Sequence, residues 1–150
     1  MATFATDTDL LEYEPDIQKY GIAEFDSDHE KTYDDLIRLL NIRWFPKAQH
    51  GQVDISVIGT SNQRLSPSML TASQFKRAAV YHVLAYYIYP KLSKFEEEID
   101  VFERKMNYYK QKFEEEFDLI LRLGVEYDLD SSGDISEAER QPFHFNRLVR

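Results

Sequence analysis

Apolar residues recur at spacings of three and four along much of the chain, a pattern typical of helices that bury one face. The clearest case is residues 94–123, which predict one long helix. Its stripe consists of Phe95, Ile99, Phe102, Met106, Tyr109, Phe113, Phe117 and Ile120. At 1.5 Å per residue this helix would be about 45 Å long, more than one small domain covers by itself. Two interpretations are open, packing against the preceding helix or packing against other chains, and both can hold at once.

Other helices are predicted over 28–43 and 72–92. The second of these is apolar on nearly all sides, which indicates burial from several directions. A short turn over 15–20 is expected to end at Gly21, and Gly124 is placed to end the long helix.

The segment 47–67 contains glycines, serines and a proline, and within it Val53, Ile55 and Val57 alternate with polar residues as in a short strand. It is expected to be a long loop or a β-arm. The sequence therefore predicts a mainly α fold, a small helical bundle forming one domain over residues 1–150. The bundle would have one long C-terminal helix, the arm, and an extended C-terminal tail.

Composition narrows the function classes. The chain has 150 residues, a formal net charge of −9 and no cysteine, which excludes disulfides and thiolate metal sites. No apolar run approaches the ~20 residues that cross a bilayer, so we expect no membrane association. Acidic side chains outnumber basic ones, which argues against non-specific electrostatic binding of nucleic acid. The 14% aromatic content indicates extensive packing surfaces.

One motif has the spacing of a metal loop. Oxygen-bearing side chains fall at positions 1, 3, 5, 9 and 12 of the segment that starts at Asp128, with Gly133 at position 6, as in an EF-hand. The candidate calcium ligands are Asp128, Asp130, Ser132, Asp134 (through its backbone carbonyl), Ser136 and Glu139. The alternative is a metal-free turn, closed by a capping box between Ser136 and Glu139. No cofactor is otherwise required.

After this loop the chain becomes basic and aromatic. Residues 140–150 hold three arginines and no acid, which favours a tail that inserts into an acidic or apolar groove of a neighbour. The alternative is a frayed end that docks in part on the surface. The residues expected to dock are Arg140, Phe143, Phe145, Arg147, Leu148 and Arg150. The histidines lack zinc spacing, and no phosphate loop or nucleophile elbow occurs, so we expect no enzymatic activity. His82 is expected to be a packing histidine.

Several segments, taken in order, resemble the head-to-tail adaptor (connector, head-completion) proteins of tailed bacteriophages. They are a short helix ending at Gly21, a helix closing at Trp44, an Ala- and Tyr-rich helix entered from Leu70-Thr71, and a long helix with a Tyr-Tyr pair. The last is a Gly-x-x-Tyr-Asp segment, from Gly124, that leads into the basic end.

The resemblance implies a structural virion protein of the neck, assembled in the host cytoplasm. It implies a homo-oligomeric, dodecameric ring beneath the portal protein that offers a platform for the next neck or tail protein. DNA would pass through its channel without specific binding. On that picture the Phe95–Ile120 stripe and the 72–92 helix build the ring, and the 140–150 tail contacts the portal. The arm, over Gln49–Pro67, would reach a neighbouring subunit or the next tail component. The alternatives are a stand-alone calcium-binding helical module and a cellular helical scaffold protein.

Overall fold

The computed structural model describes residues 2–44, 65–128 and 132–136, and this part of the chain is mainly helical, as predicted. Helix α1 spans Asp7–Tyr13 and α2 spans Asp26–Arg43. Helix α3 is a continuous run of three pieces, Lys76–Val83, Leu84–Ile88 and Tyr89–Leu92. Helix α4 spans Val101–Leu123. Short 3-10 turns are Ile17–Tyr20, Pro67–Met69 and Ala72–Phe75.

The long helix starts at Val101, so the prediction that it begins at residue 94 was wrong. The carboxylate of Asp100 caps the helix by accepting from the Glu103 N–H at 2.7 Å. Its other oxygen accepts from the Lys94 N–H and the Ser93 hydroxyl, both at 3.1 Å. Phe95 has a φ of 48°, which a helix does not permit. The 23 residues of α4 therefore span about 35 Å rather than about 45 Å.

Helices α3 and α4 run antiparallel and share the core. Tyr89 stacks on Phe102 and Tyr109 in the first half of α4, while the Gln74 side chain donates to the Gly124 carbonyl at its other end. The residues of α4 that turn inward and are buried are Met106, Tyr109, Phe113, Phe117 and Ile120. For these five residues, packing within the chain is the interpretation that holds.

Helix α3 widens in its middle. Leu84–Ile88 forms a π-helical turn, in which the Tyr89 N–H reaches the Leu84 carbonyl five residues earlier. Pro90 follows directly, and it has no N–H to donate to an ordinary helical bond. The wider turn lets the helix continue to Leu92 in spite of this proline. Because Tyr86 and Tyr87 lie within this π-helical turn, its geometry also sets the directions of their side chains.

The N-terminal residues cover one side of α3 and α4. Helix α1, which the periodicity did not predict, is held by an ion pair between Asp9 and Lys76 at 2.6 Å. The Glu14 carboxylate, just beyond α1, accepts from the Tyr109 hydroxyl at 2.8 Å and pairs with Lys105 at 3.0 Å. Gly21 has a φ of 99° and ends the Ile17–Tyr20 turn, as predicted.

Beyond α4 the chain returns to the start of α3. Gly124, with a φ of 100°, ends the helix as predicted. Tyr127 then forms an isolated antiparallel bridge with Leu70, and the Asp128 N–H donates to the Met69 carbonyl at 2.9 Å. Most of the predicted 47–67 arm lies outside the described residues. Among the helices that are described, none is long and apolar enough to cross a membrane.

Candidate functional site

The outer surface of α4 carries a second apolar stripe. Val101, Tyr108, Leu119 and Leu123 are each between 47% and 67% exposed. Their spacings of 7, 11 and 4 residues are close to whole numbers of helical turns, so the four side chains lie on one face. The alignment of exposed apolar side chains on one helix face makes this face a candidate for contact with another protein.

Charged side chains are interleaved with this stripe. Lys105 and Lys112 lie at helical spacing between the apolar residues, and Lys112 pairs with Glu115 at 3.5 Å. The Lys112 ammonium also lies 5.6 Å from the centre of the Tyr108 ring. Aromatic and aliphatic side chains bordered by paired charges form the composition of a protein interface with a polar rim.

The predicted ring-packing residues divide into two groups. Met106, Tyr109, Phe113 and Phe117 are buried inside the chain and are not available to another copy, and Phe102 is partly buried. Phe95 and Ile99 instead lie in the 93–100 loop before α4 and are 55% and 54% exposed. Sequence reasoning missed the outer stripe, although the positions 101, 108 and 119 carry a helical signal of their own.

His82 lies in a buried polar network between α2, α3 and α4. Its Nδ1 is 3.3 Å from the Thr32 hydroxyl, and its ring stacks on Tyr86 at 4.5 Å and meets the edge of Phe113 at 4.8 Å. Burial lowers its pKa to about 4, against the opposing charges of Asp35 and Glu114. His82 is therefore a neutral packing residue at pH 7, as expected from its place on an apolar helix.

Asp35 organises the exposed edge of this network. It accepts a hydrogen bond from the Tyr87 hydroxyl and lies 3.7 Å from Arg38. Burial, together with this hydrogen bond and the charge of Asp35, raises the pKa of Tyr87 to about 12. The phenol therefore stays protonated and serves as a donor that fixes the π-helical turn against α2.

The first turn of α2 holds two buried polar groups. Both oxygens of Asp28 bind the Lys91 ammonium, at 2.8 and 2.6 Å. The His29 Nε2 lies 3.0 Å from Asp7, while its Nδ1 is buried and has no hydrogen-bond partner among the described residues. These pairs connect α2 to the end of α3 and to the start of α1. A cavity of about 220 Å³ lies beside His29, lined by Thr3, Ala5, Thr6, Asp26 and Glu30.

In the predicted calcium loop, Asp128 is hydrogen-bonded to the backbone of residues 132 and 133. Its two carboxylate oxygens accept from the Ser132 N–H at 3.0 Å and the Gly133 N–H at 2.9 Å. Gly133 has a φ of 88°, the conformation that the motif requires of position 6. The Ser132 hydroxyl donates to the Asp134 carbonyl at 3.0 Å. This carbonyl is the oxygen that position 7 would offer to calcium.

The remaining ligands predicted for calcium are Asp130, Ser136 and Glu139. Asp130 and Glu139 lie outside the described residues, and Ser136 is the last described residue before 137–150. Within the described ranges no three His, Cys, Asp or Glu side chains form a group that could hold a metal. Calcium binding stays a prediction. The docking tail also lies outside the described residues, with Arg140, Phe143, Phe145, Arg147, Leu148 and Arg150.

Comparison of the chain with protein-family models, with curated proteins and with solved structures gave no match.

Proposed function

We propose that this protein is a structural subunit of a tailed-bacteriophage virion, a head-to-tail adaptor that forms a ring between the portal and the tail. The proposal rests on the order of helical segments in the sequence and on one structural observation, the exposed apolar stripe of α4. Within the part of the chain that the structure describes, the core does not use these four side chains of its longest helix.

The stripe suits lateral association between copies. It extends over the whole of α4, about 35 Å, so each subunit offers a long straight edge rather than a compact patch. Contacts that join one face of a subunit to a different face of its neighbour close into a ring when the rotation permits. The portal and the neck or tail protein would then bind the two open faces of that ring.

The charge of the chain suits a DNA channel. A net charge of −9 lets DNA slide past without sticking, because like charges repel at short range. In this role the DNA is cargo and is not bound specifically.

Two alternatives, a stand-alone calcium-binding helical module and a cellular helical scaffold protein, do not need a portal partner.

Mass measurement and electron microscopy of the pure protein, alone and mixed with the portal protein of the same phage, test the proposal. We expect a monomer or a ring alone, and a complex of the two proteins after mixing. A double variant, Tyr108→Ser with Leu119→Ser, should prevent ring formation while keeping the helical content. The matched control is Asn107→Ser with Gln111→Ser, which places two serines on another exposed face of α4.

Two results would overturn the proposal. One is a monomer at every concentration that does not bind the portal; tight calcium binding by that monomer would favour the stand-alone module. The other is an oligomer that ignores the portal, which would favour a cellular scaffold.

A further inference from the structure

The loop between α3 and α4 presents apolar side chains in a fixed conformation. Phe95 and Ile99 are more than half exposed, and so is Val101, the first residue of α4, two positions after Ile99. Tyr20, also exposed, packs edge-on at 5.1 Å against Phe102, the residue that follows Val101. We call this surface, Phe95, Ile99, Val101 and Tyr20, the loop patch.

The loop patch is held outward by its backbone. Asp100 accepts three hydrogen bonds, from the Ser93 hydroxyl, the Lys94 N–H and the Glu103 N–H, and so closes the loop on itself. The Phe95 N–H donates to the Ser93 hydroxyl at 3.3 Å, and Phe95 has the left-handed φ of 48°. A large aromatic residue in that conformation carries backbone strain, which a loop retains when the position of its side chain matters.

The patch is acidic as well as apolar. Glu96, Glu97 and Glu98 are exposed between Phe95 and Ile99. A complementary occupant therefore needs aromatic or aliphatic side chains and positive charge together. Residues 140–150 have that composition: Phe143, Phe145, Leu148 and Val149 lie among three arginines, and there is no acid.

The length of chain after Ser136 limits which residues of the segment can contact the loop patch of their own copy. Gly133 donates to Asp128, which ties the described residues 132–136 to the C-terminal end of α4. Phe143 comes seven residues after Ser136, and seven extended residues span about 24 Å. The loop patch lies beyond the other end of α4, about 33 Å away along the helix. Fully extended, the chain from Ser136 spans about 31 Å at Phe145 but about 48 Å at Arg150, so the two phenylalanines fall short of this separation while the end of the segment does not.

We propose that residues 140–150 of one copy bind the loop patch of a second copy, with the arginines facing Glu96–Glu98 and the aromatic rings covering Phe95 and Ile99. The contact joins two different surfaces, so each copy gives its segment to one neighbour and receives one from the other. Such an exchange gives a closed ring when the rotation from one copy to the next closes. This contact rests on the proposed function only in that it requires association of two copies of the chain. It assigns residues 140–150 to a neighbouring subunit rather than to the portal.

Disulfide trapping tests the contact directly, because the chain has no native cysteine. Protein with Ile99→Cys is mixed with protein carrying Phe145→Cys and oxidised. We expect a disulfide-linked heterodimer in at least about tenfold excess over a control pair, since contact raises the effective thiol concentration. The control pair is Glu24→Cys with Phe145→Cys, in which Glu24 is exposed outside the loop patch. Equal yields from the two pairs would overturn the proposal.

The same substitutions in one chain test the same-chain arrangement. The double variant Ile99→Cys with Phe145→Cys should give linked dimers and larger species. A monomer with an internal disulfide at high dilution would show that the segment binds its own chain, and the proposal would be wrong.

Charge reversal gives a measurement that does not depend on cysteines. Replacing Glu96, Glu97 and Glu98 by Lys should weaken association at least about tenfold at low salt, because the arginines then face like charge. Mixing this variant with one carrying Arg140→Glu, Arg147→Glu and Arg150→Glu should restore association between the two. Failure of trapping and charge reversal, with ring formation intact, would reject this contact but leave the α4 stripe and the proposed function standing. A segment that is trapped only on the portal would also reject it.

Discussion

The Nδ1 atom of His82 lies 3.3 Å from the hydroxyl of Thr32, inside the interface between α3 and α2. This contact places an ionisable ring in a site where both Phe113 and Tyr86 exclude water. The pKa of His82 is lowered to about 4 because the charged ring would lose its hydration there. The unfolded chain, in contrast, binds a proton at about pH 6.5.

We therefore predict an acid-dependent loss of stability that is due to His82. As the pH falls below about 6.5 the unfolded state takes up a proton first, so stability declines until about pH 4 and then levels off. Between pH 7 and pH 5 the loss from this residue is about 2 kcal/mol. Urea unfolding at the two pH values measures it. In His82→Asn, which retains a polar group beside Thr32, the decline should be smaller by that amount. An identical decline in both proteins would show that the carboxylates alone are responsible.

A second prediction concerns the ion pair that joins α2 to the end of α3. Asp28 is buried and both of its oxygens contact Lys91, so Lys91→Met leaves a buried carboxylate without its main partner. We expect the free energy of unfolding to fall by about 2 kcal/mol. This is less than the 3–5 kcal/mol typical of fully buried pairs because the Lys91 side chain is half exposed and Lys31 lies 3.6 Å from Asp28.

Lys19→Met is the matched control for this measurement. Its pair with Asp16 is as short, 2.7 Å, but both side chains are exposed, so no measurable change is expected. Similar losses in the two variants would contradict the role given to burial.

The sequence correctly predicted those helices in which the apolar residues at helical spacing are also the residues buried in the core. Helix α2 was expected because Leu36 and Leu40 recur at helical spacing, and both are buried. The start of α4 was misplaced because Phe95 and Ile99 continue the spacing of the helix by accident. The decisive local signal was Asp100 followed three residues later by Glu103, which is a capping pattern rather than a hydrophobic one.

Other features depended on tertiary structure. Helix α1 has seven residues and buries only Leu10, too short a pattern for periodicity to reveal. The exposed stripe of α4 shares its helix with a stronger buried stripe, so its four residues became visible only when the helix was packed on α3. The resemblance to phage adaptors depends on particular residues, such as those of the Gly124-x-x-Tyr-Asp segment, rather than on the helical fold, because one fold can serve many functions.

The third prediction is that the 128–139 loop binds calcium at about millimolar concentration, as extracellular-type sites do. The carboxylate of Asp128 already turns inward to Ser132 and Gly133, and each of its oxygens keeps a further lone pair for a metal. Calorimetric titration of the chelator-stripped protein should give binding heat that Glu139→Gln removes. Glu137→Gln, at a position of the motif that is not a ligand, should retain it. A protein that gives no heat at these concentrations has a metal-free turn here.

The last prediction separates the stability of the subunit from its assembly at one residue. Phe95 has a φ of 48°, a conformation that Asn tolerates better than an aromatic residue does. Phe95→Asn should therefore raise the free energy of unfolding of the monomer by about 0.5–1 kcal/mol, because it relieves backbone strain and the side chain is more than half exposed. The same change removes an aromatic ring from the loop patch, so association between copies should weaken. Denaturant unfolding at high dilution and sedimentation at high concentration measure the two effects. A variant that loses stability, or that assembles as well as the natural chain, would show that the loop retains this strain for a reason other than presenting Phe95 to a neighbour.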